Sequence, residues 1–169
     1  MNKVYQTIID KDNGNCLQAA IASLLNMKID DVPHFIGYGD QWQSKMYEFL
    51  KENDYKIGKT LFNSKYQRLI SDDNDDCFNY VRIHKNLTLT KSNLKKHGGV
   101  DGYFYAGVIS PMFGTINNRW YNQHAVIIDC DMNIVHDPNP NYKNLIKYPL
   151  ADVIKCNGIV DVLLIKKNK

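Results

Sequence analysis

Apolar residues recur at Leu17, Ala20, Ile21, Leu24 and Leu25, the i, i+3, i+4, i+7, i+8 spacing of one buried helix face. The spacing predicts a helix that opens at Cys16 and runs to about Asn26, with Asn13 or Asn15 capping its first-turn amides. A second, amphipathic helix is predicted over residues 41–53, with Trp42, Met46, Phe49 and Leu50 on its apolar side. Residues 29–35 between them read as a short helical turn. Residues 3–9 read as a short strand or extended lead-in, and 10–15 as a turn into the first helix.

The period then changes. Residues 55–61, 103–109, 123–129, 134–137 and 159–165 carry the β-branched and aromatic runs of strands, and a turn at 131–133 joins the third to the fourth. Pro138 and Pro140 stop further pairing, residues 111–121 form a long connection, and 149–155 read as a helical turn. Residues 91–96 read as a short helix ended by Gly98-Gly99. The stretch from about 62 to 101 is otherwise hard to read and is taken as an irregular insertion. Helices come first and an antiparallel sheet follows, which is an α+β layout in a single domain spanning 1–169.

Composition narrows the function classes. An apolar fraction of 44% and a charged fraction of 23% are ordinary for a soluble globular chain of 169 residues. A net charge of +3 with scattered lysines leaves no nucleic-acid footprint. No apolar run approaches the ~20 residues of a membrane helix, and the first residues lack an apolar signal core, so a cytoplasmic location is expected. Cys16, Cys77, Cys130 and Cys156 form no CxxC pair, which points to free thiols and no zinc site; no cofactor is expected. The acidic run at 71–76 lacks the glycine and terminal Glu of a calcium loop and reads as solvated.

Candidate chemistry gathers on three residues. Cys16 sits where the helix dipole is most positive, and free N–H groups there favour a thiolate. His124 opens one strand and Asp137 closes the next strand of the same hairpin, so the topology brings a carboxylate toward an imidazole. A thiol, a base to take its proton and a carboxylate to orient the base make up a nucleophilic constellation. The Cys16 amide and the Gln6 side chain are candidate oxyanion donors. The plainer alternatives are a buried structural cysteine, a hydrogen-bonded histidine, a turn aspartate and a solvent-facing Gln6. His136 competes as base, but strand alternation sets it on the face opposite Asp137.

The stretches Val4-Tyr5-Gln6-Thr7 with Asp12-Asn13-Gly14-Asn15-Cys16, Asp31-Val32-Pro33-His34-Phe35, and Gln123-His124-Ala125-Val126 with Val135-His136-Asp137-Pro138 carry a likeness. In this order the chain resembles papain-like cysteine peptidases, closest to the bacteriocin-processing double-glycine peptidase branch and its small phage and bacterial relatives. The likeness covers 4–50 and 103–140; Leu17 replaces the glycine usual in that branch after the cysteine, and Asn15 an aspartate often found before it. It implies a papain-like fold, its nucleophile helix packed on a C-terminal antiparallel sheet, with Cys16 as nucleophile, His124 as base, Asp137 as orienting residue and Gln6 as oxyanion donor.

The activity implied is cysteine-dependent hydrolysis of a peptide, isopeptide or amide bond through a thioester, with a peptide or protein as substrate. Acyl transfer, deamidation and glutaminase-like cleavage use the same residues. Candidate substrate-binding residues are Asn15, His34, Trp42 and Trp120. The alternative class is a catalytically silent binding module, such as a phage-encoded inhibitor or adaptor. Its contact surface would be the aromatic and asparagine-rich stretch 117–122.

Overall fold

The computed structural model describes residues 1–71, 87–116, 119–120, 122–142 and 147–168. The chain is α+β, built on one six-stranded sheet with helices against it. Helix α1 (Cys16–Leu25) is the central element and α2 (Trp42–Glu52) lies beside it. The strands are β1 (Tyr55–Phe62), β2 (Leu87–Thr88), β3 (Tyr103–Ile109), β4 (Thr115–Ile116), β5 (Arg119–Trp120), β6 (Gln123–Asp129), β7 (Ile134–His136) and β8 (Ile159–Lys167). The large sheet runs β2-β1-β8-β3-β6-β7, antiparallel except for β1 with β2; β4 and β5 form a separate ribbon.

Helix α1 is buried on more sides than one apolar stripe requires. Leu17, Ala20, Ile21, Leu24 and Leu25 are covered as their spacing predicts, but so are Ala19, Ala22 and Ser23. The reason is the lead-in, which crosses the outer side of the helix instead of joining the sheet. Val4 N–H donates to Ser23 Oγ at 2.9 Å, and small residues on that side of α1 allow the close approach. Met46, Phe49 and Leu50 of α2 join Ile21, Leu24, Ile127 and Leu163 in the core on this face of the sheet. Phe104, Val108, Val126, Ile128, Val162 and Leu164 build a second core on the other face.

Regular elements occupy the described parts of 62–101. Helix α3 (Ser64–Ser71) follows β1, and β2 adds a parallel edge strand. Helix α4 (Lys91–His97) is capped by Thr90 Oγ1, which accepts from Asn93 N–H at 3.1 Å, and its Leu94 is fully buried in the second core. The acidic run beyond Ser71 and Cys77 lie outside the described residues. Helix α5 (Ala151–Ile154) occupies the predicted turn before β8. Among the described residues no helix is long and apolar enough to cross a membrane.

Candidate active site

The β6–β7 hairpin assembles the first half of the site. Its turn is held by the Asp129 carboxylate, which accepts from the backbone N–H groups of Asp131 and Asn133 at 2.8 and 2.9 Å. The register pairs Ile127 with His136 and Ile128 with Ile134, and the intervening bulge adds one residue to β7. Strand β7 therefore ends at His136, and Asp137 turns back toward the start of β6. His124 Nε2 lies 2.7 Å from Asp137 Oδ1, with both side chains less than a tenth exposed.

The same carboxylate closes its own turn. Asp137 Oδ1 also accepts from Asn139 N–H at 2.7 Å, an Asx turn of the kind expected of an aspartate before proline. Tyr148 donates its hydroxyl hydrogen to Oδ2 in a very short bond. Three donors thus fix the carboxylate. Tyr142 sets its ring edge-on to His124 at 5.5 Å, so the imidazole is held from the side as well.

Helix α1 brings the second half. Its preceding turn is tight: Asp10 Oδ1 accepts from Asp12 and Asn13 N–H, and a Cβ on Gly14 would lie 2.5 Å from Asp10 O. Only glycine allows that approach. The helix carries no side-chain cap, contrary to the expectation for Asn13 or Asn15. Asn15 is 2% exposed and faces the lead-in: its Oδ1 accepts from Thr7 and Ile8 N–H at 3.0 and 2.9 Å, and its Nδ2 donates to Thr7 Oγ1 and Gln18 Oε1. All its hydrogen-bonding capacity is spent on positioning, so Asn15 is not a substrate contact. Of the first-turn amides of α1, the Leu17 N–H is hydrogen-bonded to the Cys16 thiol.

Cys16 is hydrogen-bonded to the His124 ring. With Nε2 engaged by Asp137, Nδ1 is the nitrogen facing sulfur. Burial pushes the Cys16 thiol up, but the hydrogen bond and charge of His124 and the N–H groups of Ala125 and Leu17 outweigh it and hold the thiol below its ordinary value. Burial likewise pulls His124 down, while its bonds to Asp137 and Cys16 lift it to about 9. The two shifts act in the same sense, toward a thiolate–imidazolium pair.

A cleft of about 120 Å³ opens over this pair, lined by Gln6, Cys16, Ile36, Gln123, His124 and Tyr142 among others. Compared with protein-family models, curated proteins and solved structures, the chain matches none.

Gln6 lines the cleft: its N–H donates to Pro138 O at 3.0 Å, and its buried side chain donates from Nε2 to Ile8 O at 3.1 Å. That bond uses one of two amide hydrogens, and Oε1 has no partner. His136 is buried against Tyr5 with Nε2 2.8 Å from Val4 O, on the opposite side of the strand from Asp137. Two of the expected substrate contacts are elsewhere. Trp42, the first residue of α2, packs on the core, and His34 approaches Gly14 O at 3.5 Å without lining the cleft. Their aromatic character reflects packing, which composition alone does not separate from contact. The side chains of 117–121, Trp120 among them, lie outside the described residues; Asn122 donates to Phe113 O at 2.6 Å.

Sequence reasoning missed Tyr148, Tyr142 and Asn139. Asn139 was readable from the Asp-Pro-Asn turn chemistry. The two tyrosines follow proline-rich irregular chain with no period to mark them.

Proposed function

We propose that this protein is a cysteine-dependent hydrolase that cleaves a peptide, isopeptide or amide bond through a thioester. One observation carries the reading: Cys16 at the start of α1 forms a single hydrogen-bonded series with His124 and Asp137 of the distant β6–β7 hairpin, and its charges favour the thiolate. In it Cys16 attacks the carbonyl carbon, and the Cys16 amide with the Gln6 side chain stabilises the oxyanion. His124 delivers its proton to the leaving nitrogen, then draws a proton from water to release the acid. Asp137 keeps the ring oriented.

The arrangement resembles that of papain-like cysteine peptidases, and so does the order of helices before sheet. The small, open cleft suits one residue of an extended substrate lying across the surface better than an enclosed small molecule. Cys16, Cys130 and Cys156 are free thiols, which fits a reducing cytoplasm.

The decisive experiment is the pH dependence of iodoacetamide labelling at each cysteine, read by peptide mass spectrometry in the wild type and in His124→Ala. Cys16 is expected to label rapidly near pH 6 and to lose that advantage without His124. Labelling of Cys16 that tracks the other cysteines at every pH would remove the reading and leave a silent binding module.

A further inference from the structure

Beside the cleft the sheet carries a polar cluster, seated in the space over Gly107, that the chemistry above does not use. Gly107 of β3 is the cross-strand partner of Ala125 on β6 and of Asp161 on β8, so the three positions share the face that carries α1. Cys16 is bonded to the N–H of Ala125, which places Asp161 two strand spacings away, roughly 10 Å. Gly107 makes the space: a Cβ there would lie 2.6 Å from Asp161 Oδ1 and 2.7 Å from Gln123 Oε1. Tyr105, two residues along β3 and so on the same face, senses the charges of both Asp161 and Cys16.

Asp161 is half-buried and its partners are few. It accepts from Gly107 N–H at 3.2 Å and is hydrogen-bonded to the Gln123 side chain. Among the described residues no lysine, arginine or histidine forms an ion pair with it. Burial raises its carboxyl to about 6, so at neutral pH it remains mostly ionised with its charge uncompensated. A side chain kept only for these two amide partners would be served as well by asparagine. Gln123 is exposed and also lines the Cys16 cleft, so it joins the Asp161 cluster to the cleft.

We infer that Asp161, with Gln123 and Tyr105, forms a specificity subsite for a lysine or arginine side chain of a peptide substrate, within a few residues of the bond Cys16 attacks. An extended peptide advances about 3.4 Å per residue, so a basic side chain two or three residues from the scissile carbonyl spans the gap. This rests on the hydrolase reading.

The test uses peptidyl acyloxymethyl ketones that differ at one position, lysine, norleucine or glutamate, scanned over the three residues before the ketone. Labelling of Cys16 is followed by intact mass. At one position lysine is expected to lower the half-saturating concentration at least tenfold relative to norleucine, with glutamate weaker still. Asp161→Asn should abolish that preference while leaving the iodoacetamide rate of Cys16 and the norleucine probe unchanged. Circular dichroism checks that the variant folds, and Gln123→Glu, which adds a second carboxylate at the rim, should strengthen the lysine preference. Equal lysine and norleucine constants in the wild type, or a preference that survives Asp161→Asn, overturn the subsite while rapid iodoacetamide labelling still supports the hydrolase. If no electrophile labels Cys16 selectively, the hydrolase reading falls; the same peptides titrated calorimetrically into Cys16→Ala then decide the subsite, and absence of a lysine preference there overturns it too.

Discussion

Replacing Asp137 separates the geometry of the site from its charge. In Asp137→Asn the amide oxygen still accepts from His124 Nε2 and Asn139 N–H, and the amide nitrogen meets the Tyr148 hydroxyl, which rotates from donor to acceptor. The ring therefore keeps its place. What is lost is the charge assistance: a hydrogen bond to a charged group contributes about 1.5–3 kcal/mol against about 1 kcal/mol for a neutral pair. A difference of roughly 1–2 kcal/mol corresponds to about one pKa unit, which moves His124 from about 9 toward about 8. The weaker imidazolium stabilises the thiolate less, so the Cys16 titration moves upward by a comparable amount. The assay is the pH profile of iodoacetamide labelling at Cys16, in which Asp137→Asn should shift the low-pH limb up by about one unit without lowering the plateau. Asp137→Ala instead strands the imidazolium and the Tyr148 hydroxyl, and should lose the low-pH limb altogether. Identical wild-type and Asp137→Asn profiles would refute the claim that Asp137 acts on Cys16 through the ring.

Three further outcomes follow from the same contacts. His124, held above its unfolded value, contributes stability below pH 6.5 that is lost as pH rises toward about 9, whereas Cys16, held below its ordinary value, contributes in the opposite sense. The pair should leave urea midpoints nearly flat between pH 6.5 and 9 in the wild type, while Cys16→Ala should lose stability over that range; parallel curves would contradict the ion pair. Asn15→Ala strips the acceptor from two backbone N–H groups and should cost about 2–4 kcal/mol, lowering the melting temperature by about 5–12 °C; a change within about 1 °C would show the lead-in is held by other means. Gln6→Ala should slow turnover of p-nitrophenyl acetate about a hundredfold yet leave the iodoacetamide rate within about twofold, because an oxyanion donor acts on the intermediate and not on the thiolate. A matched fall in both rates would make Gln6 a structural residue.

The helix that opens at Cys16 and the hairpin whose open end holds His124 and Asp137 are legible because each is a local pattern: apolar spacing, β-branched runs, and a turn that sets two residues at one end of a hairpin. Order along the chain was enough to bring the imidazole and the carboxylate together, since a hairpin converts sequence separation into cross-strand distance. Nothing local reveals contacts between segments far apart in sequence. That is why Asn15 was read as a cap or a substrate contact, when it ties the lead-in to α1, and why Trp42 and His34 were assigned to a cleft they do not line. The contact of Gly107 with Asp161 exists only because β8 inserts between β1 and β3, pairing residues 54 positions apart. Periodicity specifies which face of an element is buried; what it is buried against is decided by the packing of the whole chain.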